Sequence, residues 1–108
     1  MRMDRNINAN GTGKYAIVSM RRLRALTGPP KQQAKAMLDG LDAMGLIEWG
    51  AVGEEDEFFL IKLKDRHARA ALLAYEKSIE PTDPEFALEV ATMAARAGKL
   101  SPFCKEPD

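Results

Sequence analysis

The chain has 108 residues, 45% of them hydrophobic, and sixteen cations balanced by sixteen anions, which suits one soluble domain with one modest core. Its single cysteine, Cys104, excludes an intramolecular disulfide, no run approaches the roughly 20 apolar residues of a membrane span, and Met1 to Asn10 lacks a signal peptide's apolar middle, so a cytoplasmic location is expected. The charges are segregated: Met1 to Lys35 holds eight cations against Asp4 alone, whereas Ala36 to Leu60 holds seven acids and no cation.

Residues 1–13 are rich in Asn and Gly without apolar periodicity and predict a flexible arm. A core is expected over 14–64. It opens with a short strand at Tyr15 to Val18, after which Ser19 stands as an N-cap before a helix carrying Met20, Leu23 and Leu26. Thr27-Gly28-Pro29-Pro30 ends that helix, and Pro30 opens a second one running to about Met44, with Ala34, Met37, Leu38, Leu41 and Met44 as a stripe facing the core. Gly45 is its C-cap.

Leu46 to Trp49 and Glu57 to Lys64 are expected to pair as an antiparallel hairpin around Gly50 to Asp56. The second strand is apolar on both faces, so the helices that follow are expected to cover Phe58 and Leu60. Residues 65–98 supply those helices. Asp65 caps one that runs to Ile79 and buries Ala68, Ala71, Leu72, Tyr75 and Ile79; Asp83 and Pro84 start another that buries Phe86, Val90, Met93, Ala94 and Ala97 and ends at Gly98. Residues 99–108 are a proline-containing tail. The expected fold class is α+β, a single domain with a hairpin in a small antiparallel sheet and two additional C-terminal helices.

Catalytic and metal chemistry find little footing. Gly11-Thr12-Gly13-Lys14 resembles the end of a phosphate-binding loop, but Asn8 stands where that loop needs glycine and Tyr15 where it needs Ser or Thr. His67 and Cys104 are two zinc ligands where a structural site takes four. Glu54, Glu55, Asp56 and Glu57 follow one another on a loop and are expected to be hydrated rather than paired for acid-base work. No enzyme activity, cofactor or metal is expected.

The run Ser19-x3-Leu23-x2-Leu26-Thr27-Gly28 followed by Ala34-x2-Met37-Leu38-x2-Leu41-x3-Gly45-Leu46-Ile47-Glu48 resembles the winged-helix superfamily over Tyr15 to Lys64. That resemblance implies a reading helix beside a β wing, a scaffold used for DNA and for protein partners. More faintly, GTGKYAIVSMRRLRAL and the closing SPFCKEPD are similar to small proteins of tailed phages and prophages, which implies a location in the host cytoplasm.

Two functions follow from this reading. In the first, a non-enzymatic regulatory protein binds duplex DNA as a homodimer: Lys31, Gln32, Gln33 and Lys35 meet base edges from the start of the second helix, while Arg21, Arg22 and Arg24 hold phosphates. The acidic wing opposes it, because Glu54 to Glu57 would be repelled by those phosphates. In the second, a protein-protein interaction module binds a host protein or another copy of itself through the small-residue face of Ala36, Gly40 and Ala43, the acids Glu54, Glu55 and Asp56, and the apolar Phe58 and Leu60.

Overall fold

A computed structural model describes residues 15–107. Among them the chain is helical: α1 (Met20–Ala25), α2 (Gly28–Ala43), α3 (Ala68–Ile79) and α4 (Pro84–Ala94), followed by a short 3-10 turn, Gly98–Leu100. The expected arm, residues 1–13, lies outside the described range.

Local chemistry accounts for the helix ends. Ser19 Oγ accepts a hydrogen bond from Arg22 N at 3.2 Å and so caps α1. Thr27 is the N-cap of α2 and the prolines fall in its first turn, where the missing amides would have had no partner in the helix. At the other end Gly45 takes φ +75 and donates to Asp42 O at 2.9 Å, while Leu46 N donates to Leu41 O at 3.1 Å. That pair of bonds is a Schellman motif, which uses up carbonyls the last turn leaves unpaired. Asp83 Oδ1 accepts from Phe86 N at 3.1 Å, and Pro84 follows as the first residue of α4.

The α+β expectation is overturned: no residue among those described forms a β-strand, and the only bridge is an isolated parallel one between Asp65 and Lys105. Tyr15 to Val18, Leu46 to Trp49 and Glu57 to Lys64 are irregular. The hairpin connection itself explains part of this. Glu54 N donates to Ala51 O and Glu57 N to Glu54 O, both at 3.1 Å, and Glu57 Oε1 accepts from Gly53 N at 2.9 Å. Residues 51–57 therefore close on themselves as successive turns and set no ladder register. A lone two-stranded ribbon is also marginal in water without a third strand or a covering helix, and the helices expected to cover it pack elsewhere.

α3 and α4 pack on each other, and every buried apolar residue described lies there or just beyond: Ala68, Phe86, Ala87, Val90, Ala94 and Ala97. The Phe86 ring meets Tyr75 edge to face, with centroids 5.9 Å apart. Of the expected α3 stripe, Ala68 is buried, Leu72 and Ile79 are half-buried, and Ala71 and Tyr75 are exposed. His67, rather than Asp65, is the N-cap of α3; Asp65, two residues earlier, accepts from His67 N through Oδ1 at 2.8 Å. α4 ends at Ala94, and Gly98 opens the 3-10 turn that follows instead of terminating the helix.

The tail is tied down. Gly98 N donates to Leu63 O at 2.8 Å, Lys105 N to Lys64 O at 2.9 Å and Arg66 N to Lys105 O at 2.9 Å, so residues 98–105 strap the segment that leads into α3. Arg66 also pairs with Glu106 at 2.7 Å, and this hydrogen bond and charge hold its guanidinium above its usual pKa range. The pair is exposed and adds little stability of its own.

Candidate interaction surface

The N-terminal half has no buried residue at all between 15 and 67. α1 rests on α2, and Lys31 Nζ donates to Arg24 O at 3.3 Å, joining the end of α1 to the first turn of α2. The stripe expected to face a core does not: Met37, Leu41 and Met44 are 62%, 42% and 71% exposed, and only Ala34 and Leu38 are half-buried. Its period is helical, but among the described residues no element covers Met37, Leu41 and Met44.

Arg21, Arg22 and Arg24 project from α1 and are exposed, as are Gln32, Gln33 and Lys35 on α2, while Lys31 is half-buried through its contact with α1. The structure thus gathers these seven residues around the α1–α2 junction. Ala36, Gly40 and Ala43 are exposed along α2, and a Cβ built on Gly40 would meet nothing within 4 Å, so the small-residue face is open.

At the other end of α2, Trp49 Nε1 donates to Asp42 Oδ1 at 2.9 Å. This bond ties the loop to the helix and fixes an indole that remains 49% exposed. Glu48, Trp49, Ala51, Glu54, Glu55 and Asp56 line an open hollow of about 610 Å³, an aromatic face ringed by carboxylates. Phe58 folds back over Gly50, where its ring fills the space a side chain would need and φ is +64. Phe58 and Leu60 are nevertheless 59% and 51% exposed, so the C-terminal helices do not cover them. Ile61 and Leu63 meet those helices instead, lining an apolar hollow with Ala68, Leu72, Tyr75 and Met93.

Sequence reasoning assigned Trp49 only to a strand end and missed the hollow. The available signal was the chain's one tryptophan set five residues before a run of four acids. Among the described residues no cluster of His, Cys, Asp and Glu is placed to hold a metal ion, and no helix is long and apolar enough to cross a membrane. Cys104 is exposed as a thiol. No protein-family model, curated protein or solved structure matches the chain.

Proposed function

We propose that this is a small, non-enzymatic protein-binding module whose segment 15–60 packs against a protein partner. The supporting observation is apolar exposure. Thirteen large apolar side chains between Tyr15 and Leu60 are exposed, with Val52 at 90% and Phe59 at 87%. Monomeric proteins rarely leave contiguous apolar patches beyond a few hundred Å², and larger ones mark interaction sites.

Duplex DNA binding is a second reading, favoured by the exposure of Arg21, Arg22 and Arg24, none of which forms an ion pair with a described acid. Seven acids between residues 36 and 60 oppose it, and phosphates would leave the apolar surface uncovered.

A photo-crosslinking amino acid placed at position 59, with a control at Leu88 on α4, separates the two in cells that express the protein. Protein adducts from position 59 and none from 88 are expected. Failure to trap protein at 59, together with salt-sensitive duplex binding that Arg21→Ala, Arg22→Ala and Arg24→Ala abolish, would transfer the assignment to DNA.

A further inference from the structure

We infer that the partner is a second copy of the same chain, with the arginines of one α1 seated in the Trp49 hollow of the other copy. This rests on the protein-binding reading and names the occupant. The first argument is charge. Between 15 and 35 the chain carries Arg21, Arg22, Arg24, Lys31 and Lys35 with no acid, and between 36 and 60 it carries seven acids with no cation. Among the described residues no ion pair joins the two sets, so neither neutralises the other within the chain.

The second argument is reach. Lys31 marks the basic end of α2, through its bond to Arg24 O, and Asp42 marks the acidic end, through its bond to Trp49. Eleven residues of helix separate them, about 16 Å along the axis, too far for a direct side-chain pair. The rigid helix that keeps the charges apart in one copy brings them together in two. An antiparallel pairing along α2, about a twofold axis near Ala36, sets Lys31 of one copy opposite Asp42 of the other.

The chemistry of the hollow suits a guanidinium. Its plane can lie on the indole face while its donors meet the surrounding carboxylates two at a time. Each copy supplies one basic helix and one hollow, so a twofold pair makes both contacts and closes without an open end. Charge sets the partner and the register, and the flanking apolar side chains supply the affinity.

Charge exchange tests this. One variant carries Arg21→Glu, Arg22→Glu and Arg24→Glu; the other carries Glu54→Lys, Glu55→Lys and Asp56→Lys, leaving Glu57 to hold Gly53. Wild type should sediment as a dimer, with Trp49 emission shifting as the protein is concentrated. Each variant alone should associate roughly tenfold more weakly or worse, and an equimolar mixture should restore a 1:1 heterodimer. Restoration also shows that both variants are folded. A wild-type monomer at high concentration, variants that pair as wild type does, or a mixture that stays monomeric would overturn the inference. Adducts from position 59 at twice the chain mass support it. Adducts only to a different protein remove the second copy but keep the protein-binding reading, and no protein adduct removes both.

Discussion

Gly98 shows how much one residue decides in the ordered half. Its φ is +59, and a Cβ there would lie 3.0 Å from Arg66 O and 3.2 Å from Arg69 Cβ. Backbone conformation and space both require glycine. Gly98→Ala should destabilise the protein by about 1–3 kcal/mol, read as a lower urea midpoint with an unchanged slope. Gly40→Ala is the control: the site is open and helical, so its alanine should leave the monomer unchanged or up to about 1 kcal/mol more stable. Trp49 makes a second residue-scale prediction. Asp42→Ala removes the bond to its indole, and the freed ring should show lower fluorescence anisotropy and easier quenching. An unaltered indole signal would mean that the bond does not hold the hollow's wall.

At the scale of the element, the two helix pairs respond differently to truncation. Phe86→Ala empties the α3–α4 contact with Tyr75 and should cost about 3–5 kcal/mol. Met37→Ala and Leu41→Ala on α2 should cost dilute protein under about 0.5 kcal/mol each, because those side chains already face water. Losses of equal size in both pairs, measured by denaturant titration, would show that α2 is packed. Elements whose ends are fixed locally were legible in the sequence: Ser19 before α1, Gly45 after α2, and Asp83-Pro84 before α4 each act on neighbours within four residues. Strand pairing was not, because alternation and glycine placement suggest a hairpin without saying whether another layer will cover it. The α2 stripe of Met37, Leu41 and Met44 has a core's spacing whether its cover is the same chain or another. Nor did the tail's composition disclose its straps, which join Lys105 and Gly98 to backbone forty-one and thirty-five residues earlier.

The whole molecule divides by burial. Its apolar core lies entirely beyond residue 67, in a helical hairpin strapped by the tail, while residues 15–60 hold the opposed charges and the exposed aromatics. The basic and acidic candidate residues could be read from the sequence as separate clusters; their separation by the length of α2 could not. A chain whose first half relies on a partner should show stability that rises with protein concentration, since association favours the form that binds. An interface set by charge should also weaken with added salt, because screening shortens the reach of exposed pairs.

Amide hydrogen exchange across a dilution series bears most directly on the claim that residues 15–60 are unpacked until they meet a partner. In dilute protein the amides of 46–62 should exchange nearly as fast as in an unfolded chain, while those of α3 and α4 exchange slowly; protection of 46–62 should appear as concentration rises. Slow exchange of 46–62 in dilute, monomeric protein, matching that of α3 and α4, would contradict the account.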